Sequence, residues 1–322
     1  MQGKISPERS AAPVYVGIDV CKAWLDVYLH SVGRPFRVAN SREGLKRLKR
    51  ELAPHAVALI VLEATGKYHR EAHRSLHASG FVVAVVNPLR SRLFAQAAGQ
   101  LAKTDRLDAR MLALMAESLA PKATPPAPET LEELAELVRA RTAAVADLTA
   151  LTNQMGESRT AILKRELGRR IKATRTSIAR LEAEIAHRIK ADATLARRFA
   201  ILGSIKGIGP AAAAALLVGL SELGLCSGRQ AALLAGLAPL ACDTGNTRGE
   251  RHIKGGRAHV RTALYMAALA ATRCNPDLSA FYRRLREKGK RFKVAITAVM
   301  RKLVVLANAL IRQDRLWQPV HA

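Results

Sequence analysis

Two apolar segments near the N-terminus each end in a single carboxylate, and they constrain the fold of this chain more than any other feature. Residues 14–18 are β-branched or apolar before Asp19, and residues 57–62 are apolar before Glu63. Such runs are typical of buried strands. A carboxylate at the end of a buried strand is costly unless it is paired or bound to a metal. The two segments therefore predict a sheet whose strand ends carry a site.

A second pair of acids lies in a predicted helix over residues 103–110. Asp105 and Asp108 are three residues apart, so they share one helical face near the helix start. Each acid alone can be explained as a cap, a solvated turn residue or a response to the helix dipole. Taken in the order D, E, D-x-x-D, the four favour one site for divalent cations. Their oxygens suit Mg²⁺ or Mn²⁺ better than zinc, and a pair of such ions supports phosphoryl transfer.

The charge of the chain indicates a polyanionic partner, with nucleic acid as the default. Lys and Arg total 52 against 26 Asp and Glu, which gives a formal net charge of +26. The longest apolar stretch, residues 211–220, is too short to span a bilayer, and the N-terminus lacks a signal-peptide layout. No membrane partner is expected, and a cytoplasmic protein is predicted.

Zinc and disulfides are not predicted. The four cysteines are scattered and form no C-x-x-C pair, so neither a zinc knuckle nor a disulfide framework is indicated. His69, His73 and His77 follow one another at four-residue steps on one helical face. Because a fourth zinc ligand is missing nearby, these histidines are interpreted as part of a solvated helical face.

A proline-rich segment divides the chain, because it cannot continue a helix. The first part combines the acid-bearing strands with a further strand over 81–86 and with helices over 41–52 and 68–79, which predicts a mixed sheet flanked by helices. The fold class is therefore α/β plus α. The predicted domains are an α/β domain over 1–120, a linker over 121–128, a coiled-coil arm over 129–199 and a mainly helical C-terminal domain over 200–322.

The predicted arm has apolar residues at coiled-coil spacing on two helices, interrupted near Gly156. The pattern fits an antiparallel helical arm or a dimerisation zipper. Between Arg159 and Arg198, twelve Lys or Arg residues stand against four acids. A solvated face is the simpler explanation, but contact with the backbone of RNA or DNA is favoured, because it requires charge and no reading of bases.

The final third contains two loops that fit phosphate chemistry. Gly207 and Gly209 resemble the hairpin of a helix-hairpin-helix motif, where glycine lets backbone N–H groups approach a phosphate; the alternative is an ordinary turn between helices. Thr244 supplies a hydroxyl in a Gly-flanked loop, the setting that in-line attack on phosphorus requires. Cations able to grip the phosphates surround it: Arg248, Arg251, Lys254, Arg257 and Arg261.

Several of these segments together resemble a known family. They are residues 17–19, 62–66, 103–109 and 243–245, with 255–257 and 260–261. In combination they resemble the DEDD transposases of the IS-one-ten insertion-sequence family, which are relatives of the Piv site-specific invertases. The resemblance runs over nearly the full length. It implies a RuvC-like domain of ribonuclease H fold, a coiled-coil middle and a C-terminal transposase domain.

The same resemblance implies the roles of individual residues. Asp19, Glu63, Asp105 and Asp108 would hold Mg²⁺, and a serine in a D-S-G segment would attack DNA to leave a phosphoserine link. Here Thr244 occupies the serine position. Threonine keeps the hydroxyl, but its methyl group restricts and crowds it. Three interpretations stay open: Thr244 is a slower nucleophile, the element is impaired, or the sequence has been deliberately altered.

The resemblance also implies partners. These are double-stranded donor and target DNA, a homo-oligomer that is a dimer or a tetramer, and, in some members, a structured non-coding bridge RNA that guides the reaction. Because the acids and Thr244 lie in separate predicted domains, we expect a composite site supplied by different subunits. Two rival functions stay open, namely a RuvC-like junction nuclease that uses water as nucleophile and a non-catalytic nucleic-acid scaffold.

Overall fold

The computed structural model describes residues 12–100, 105–241, 243–244, 247–249 and 251–319. They form two compact units, Met1–Ala127 and Pro128–Ala322. The division falls near the end of the proline-rich segment, whereas the sequence placed the end of the first domain at residue 120. The predicted arm belongs to the second unit and is not a unit of its own.

The first unit is built on a five-stranded mixed sheet. Its strands are β1 (Val14–Val20), β2 (Trp24–Leu29), β3 (Arg34–Ala39), β4 (Val57–Glu63) and β5 (Val83–Val86). Their order in the sheet is β3-β2-β1-β4-β5. The first three form an antiparallel meander, while β4 runs parallel to β1 and β5 runs parallel to β4. This confirms the predicted mixed sheet.

Four helices accompany the sheet. They are α1 (Arg42–Leu52), α2 (His69–Ala78), α3 (Pro88–Ala97) and α4 (Asp105–Leu119). One core contains Ile18 of β1 together with Leu48 of α1 and Leu76 of α2. A second core contains Val61 of β4 together with Leu112 and other residues of α4. Because successive strand residues point to opposite faces, the sheet is covered by α1 and α2 on one face and by α4 on the other.

The proline-rich segment is packed against the first unit and does not hang free as a linker. Pro121 is buried. The backbone N–H of Thr124 donates to the carbonyl oxygen of Val83 on β5 (2.9 Å), and Nε2 of His73 donates to the carbonyl oxygen of Thr124 (2.7 Å). His73 is only 6% exposed, so the interpretation of the histidines as a solvated face is wrong for this residue. Its imidazole fastens the segment to α2.

The second unit is mainly helical. Its helices are α5 (Glu129–Glu157), α6 (Ala161–Ala191), α7 (Ala193–Ser204), α8 (Pro210–Gly219), α9 (Gly228–Leu234), α10 (Ala258–Cys274), α11 (Pro276–Glu287) and α12 (Phe292–Arg312). Four two-residue strands lie between α9 and α10, namely β6 (Pro239–Leu240), β7 (Asp243–Thr244), β8 (Thr247–Arg248) and β9 (His252–Ile253).

Helices α5 and α6 form an antiparallel pair. Near its base, Leu134 of α5 and Ile189 of α6 join the core of the unit, and further out Leu151 of α5 packs with Leu167 and Ile171 of α6. The apolar positions of the two helices therefore face each other within one chain. This is the arrangement of the antiparallel arm, the first of the two alternatives that the sequence left open.

Helix α12 is long and apolar enough, by length and composition, to cross a membrane. Half of its most apolar window is buried inside the protein, however. Ile296, Val299 and Leu303 lie in the core of the second unit and are almost inaccessible to solvent. In this structure α12 is a core helix.

Candidate active site

The ends of two neighbouring strands bring Asp19 and Glu63 together. Strands β1 and β4 are parallel and adjacent, and Ile18 is in register with Leu62. The next residue on each strand is a carboxylate, so both acids lie at the same edge and on the same face of the sheet. That face is the one covered by α4, because Gly17 and Val61, two residues before each acid, pack on that side.

A close approach of α4 to β1 adds a third acid. A Cβ placed on Gly17 would lie 2.1 Å from the carbonyl oxygen of Ala109 and 2.3 Å from the backbone nitrogen of Ala113. Only glycine lets the helix pack this tightly on the strand. Asp108 precedes Ala109 in the helix, so the tight packing carries its carboxylate to the cleft beside Asp19.

Asp19, Glu63 and Asp108 line a single cleft of about 590 Å³. Arg92 of α3 and Gln100 also line it. The described residues include no group of three or more Asp, Glu, His or Cys side chains placed closely enough to bind one metal ion together. The side chain of Asp105 lies outside the described residues. The structure thus brings three of the four predicted acids to one cleft, and their metal role stays a prediction.

The carboxylate of Glu63 is fixed by a serine that no sequence pattern indicated. The hydroxyl of Ser91 donates to Oε2 of Glu63 (2.6 Å), and Ser91 is only 8% exposed. Helix α3 positions this serine, since Asn87 caps the helix by accepting a hydrogen bond from the N–H of Leu89 (2.8 Å). Ser91 is therefore a positioning residue for Glu63. The pattern that precedes it, an Asn-Pro helix start after a strand, is too common to identify it.

A fifth carboxylate lies next to Asp19 and was also missed. Asp26 on β2 is directly opposite Asp19, so the two share a face of the sheet. Asp26 is 6% exposed, and Arg37, its register partner on β3, grips it through two bonds of 2.8 Å each. The fork of Arg37 thus neutralises a buried acid beside the predicted metal ligands.

We expect Arg37→Met to destabilise the first unit by about 2 kcal/mol, because it leaves Asp26 buried without its cation. The value is below that of a fully buried pair because the Arg37 side chain is half exposed. Denaturant unfolding measures the change. Arg34→Met is the matched control, since Arg34 lies on the same strand and its contacts are at the surface: an ion pair with Glu51 and a position over the ring of Phe36, 5.8 Å from the centroid.

Restoring balance at the pair provides a second control. The double variant Asp26→Asn with Arg37→Met removes the stranded charge, so it is expected to recover part of the lost stability. If Arg37→Met costs no more than Arg34→Met, the Asp26 carboxylate does not depend on its partner and the interpretation fails.

In the second unit, Thr244 lies on a short antiparallel hairpin. Pro239 and Leu240 pair with Ile253 and His252, and further along Asp243 pairs with Arg248 and Thr244 with Thr247. Thr244 is therefore in the pair next to the turn. The side chains of Thr244 and Arg248 lie outside the described residues. The predicted phosphate ligands Arg251 and Lys254 directly precede and directly follow β9, and both are exposed.

Arg257 and Arg261, also predicted to bind phosphate, are engaged within the protein. Arg257 donates to both carboxylate oxygens of Glu222 (2.7 and 2.5 Å) and to the carbonyl oxygen of Gly219 (2.8 Å). Burial raises the pKa of Glu222, but the hydrogen bonds and charge of Arg257 outweigh it, so the pKa is lowered overall. Arg261 donates to the carbonyl oxygen of Gly255 (2.8 Å). Both arginines anchor the loop that leads back from the hairpin.

The two glycines of the helix-hairpin-helix-like turn differ in their surroundings. Gly207 has a φ of +107°, and a Cβ on it would lie 2.5 Å from the Cβ of Ala271 on α10. Packing within the unit thus explains why this position is glycine. Gly209 caps α8 and has open space where a side chain would be. Of the two, Gly209 is the one with room for a phosphate.

Comparison with known proteins shows that this chain is similar to transposases and to a gene-inverting protein. A family model for DEDD transposases of the IS110 type matches residues 16–160, and one described as "Transposase IS116/IS110/IS902 family" matches residues 199–283. The pilin gene-inverting protein of Moraxella bovis is 28% identical over 311 residues, covering 94% of this chain and 96% of the relative. A probable family 20 transposase of Pseudomonas aeruginosa is 28% identical over 302 residues, covering 80% and 84%.

Proposed function

Because this chain belongs to the IS110 family of transposases, we propose that it is a site-specific recombinase that cuts and rejoins double-stranded DNA. The observation that carries the proposal is the cleft lined by Asp19, Glu63 and Asp108. The formal net charge of +26 supports a nucleic-acid substrate. The strand order β3-β2-β1-β4-β5 with a three-stranded meander supports a RuvC-like ribonuclease H fold for the first unit.

In this proposal, Asp19, Glu63 and Asp108 hold Mg²⁺ or Mn²⁺ together with Asp105 from the first turn of α4. The donor set consists of carboxylate oxygens, which are hard oxygen ligands of the type that these ions prefer. When bound, such ions supply positive charge beside the phosphate that is transferred. The residues of the chain do the rest of the positioning. Ser91 fixes one oxygen of Glu63, and Arg37 keeps the buried charge of Asp26 compensated beside Asp19.

The proposed nucleophile is the hydroxyl of Thr244. Its oxygen forms a bond to the scissile phosphorus while the bond from phosphorus to a deoxyribose oxygen breaks, and the hydroxyl proton ends on that leaving oxygen by way of solvent or a base. Rejoining is the reverse step, in which a deoxyribose hydroxyl attacks the phosphothreonine and restores Thr244. The phosphoester is kept throughout, so strand exchange needs no added source of energy.

We also propose a guide, an assembly and a cellular location for the reaction. A structured non-coding RNA guides the choice of DNA, the working assembly is a dimer or a tetramer of this chain, and the reaction takes place in the cytoplasm. Sequencing of the nucleic acid that copurifies with the protein, from cells that carry its native flanking DNA, tests the guide. A discrete transcript from beside the gene is the expected result.

The function itself is tested by trapping a covalent product. Labelled duplex carrying the native flanking DNA is incubated with Mg²⁺ and with the protein together with the RNA that copurifies with it, and the reaction is stopped with denaturant. We expect a protein-linked DNA strand whose attachment maps to Thr244 by mass spectrometry and whose formation stops with chelator. Nicked DNA without a linked protein identifies the junction nuclease instead. Binding without any cleavage in Mg²⁺ or Mn²⁺ identifies a scaffold.

A further inference from the structure

The long helix α6 carries a continuous row of exposed positions that contains no acid. These positions are three or four residues apart and form the outward stripe, defined as Arg165, Arg169, Lys172, Thr176, Arg180, Ala183, His187 and Lys190. All of them are exposed, whereas Leu167, Ile171 and Ile189 on the opposite side are buried against the rest of the second unit. At 1.5 Å per residue the stripe is about 38 Å long.

The acids of α6 lie beside the stripe and are paired. Glu182 accepts from Arg141 of α5 (2.7 Å), Glu184 accepts from Arg188 (2.7 Å), and Glu166 pairs with Arg169. Within the described part of the chain, Arg165, Lys172 and Arg180 have no ion-pair partner. Apart from the charge of Arg169, which Glu166 compensates, the positive charge of the stripe is therefore not cancelled by the described residues.

The two helices of the arm have opposite charge. Helix α5 has six acidic and two basic residues, while α6 has nine basic and three acidic residues. A helix that was basic only to remain solvated would not need a strongly acidic neighbour. The asymmetry gives the arm one side that attracts a polyanion and one that repels it.

The composition of α6 indicates which parts of a polyanion this helix could recognise. Helix α6 contains no Asn, Gln, Phe, Tyr or Trp. It therefore lacks the amides that read adenine edges in a groove and the aromatic rings on which single-stranded bases stack. What remains is charge spread over about 38 Å, the length of about eleven base pairs of duplex.

We propose that the outward stripe of α6 binds the phosphodiester backbone of a nucleic-acid duplex, independently of sequence. The inference deepens the proposed function, since it assumes a nucleic-acid partner and names a surface of the second unit that binds it. Duplex DNA and duplex RNA share this backbone chemistry, and the experiment separates them.

The test compares two variants of the full chain with the same loss of charge. The first is Arg165→Gln with Lys172→Gln, on the stripe. The matched control is Lys164→Gln with Arg170→Gln, which are exposed on the flanks of the same helix. Fluorescence anisotropy measures the affinity of each for a random-sequence DNA duplex and for an RNA duplex of the same sequence, over a series of salt concentrations.

For the stripe variant we expect the slope of log K against log salt to fall by about 2, near 0.9 for each lost phosphate contact on DNA. At moderate salt this corresponds to a loss of affinity of about tenfold, with the control close to wild type. The duplex that shows the loss is the one that the arm binds.

Three results would overturn the inference. One is an equal loss in the control, which means that only overall charge matters. Another is an unchanged slope in the stripe variant. The third is an unchanged slope in a stripe variant whose mass in light scattering is smaller than that of the wild type. This would mean that the stripe is an interface between copies of this chain. If the wild-type protein binds neither duplex, the proposed function fails as well.

Discussion

Replacing Gly17 with alanine is expected to destabilise the first unit by about 3 kcal/mol or more and to reduce DNA cleavage about 100-fold. The added methyl would lie 2.1 and 2.3 Å from backbone atoms of α4, closer than any relaxed contact allows. Backbone cannot turn aside as a flexible side chain can, so α4 must move away from β1. A shift of about 1 Å is enough to misplace Asp108 relative to Asp19.

Denaturant unfolding and the covalent trapping assay measure the two effects. The matched control is Gly168→Ala on α6, where the new methyl meets nothing within 4 Å. Because alanine is the better helix former, the control is expected to be neutral or to gain up to about 1 kcal/mol. If Gly17→Ala behaves like Gly168→Ala, the close approach of α4 does not hold the acid-bearing face together.

Much of the acid-bearing face could be predicted from the sequence because its signals are local. The apolar runs before Asp19 and before Glu63 indicated β1 and β4, and the three-residue spacing of Asp105 and Asp108 indicated the start of α4. Parallel neighbours place their last residues at one edge, so the meeting of Asp19 and Glu63 followed from the strands.

Strands β2 and β3 had no such signal. Asp26 interrupts one and Arg37 the other, and a charged residue inside a short run argues against a buried strand. In the folded unit the two charges cancel each other across adjacent strands, which removes the objection. Pairing between two strands depends on residues from both segments, so neither segment alone predicts it.

The same limit applies to two arginines whose contacts within the protein had no signal in the sequence. Arg257 and Arg261 lie close to Thr244 in sequence, which made them resemble phosphate ligands. Folding instead brings Glu222, 35 residues upstream, to Arg257, and the carbonyl of Gly255 to Arg261. The half-buried carboxylate of Glu222 compensates the cation, so Arg257 contributes to the anchoring of the hairpin loop. Arg251 and Lys254 are exposed, and their role as phosphate ligands stays a prediction.

The hydroxyl of Thr244 is expected to determine the covalent step. Thr244→Val keeps the shape of the side chain and removes the hydroxyl, so trapping of protein-linked DNA should fall at least about 10³-fold. Thr244→Ser relieves the crowding of the secondary alcohol. Since an unfavourable rotamer costs about 1 kcal/mol, the serine variant should form the adduct up to about fivefold faster.

Thr247 provides the matched control, because it is the cross-strand partner of Thr244 in the same hairpin. Thr247→Val makes the same chemical change one strand away, and it should leave the rate of adduct formation within about threefold of wild type, because the proposed step does not use this hydroxyl. Equal losses in both valine variants would mean that the hairpin needs its hydroxyls for structure. Full activity of Thr244→Val would exclude Thr244 as the nucleophile and leave water, the nucleophile of the junction nuclease, in its place.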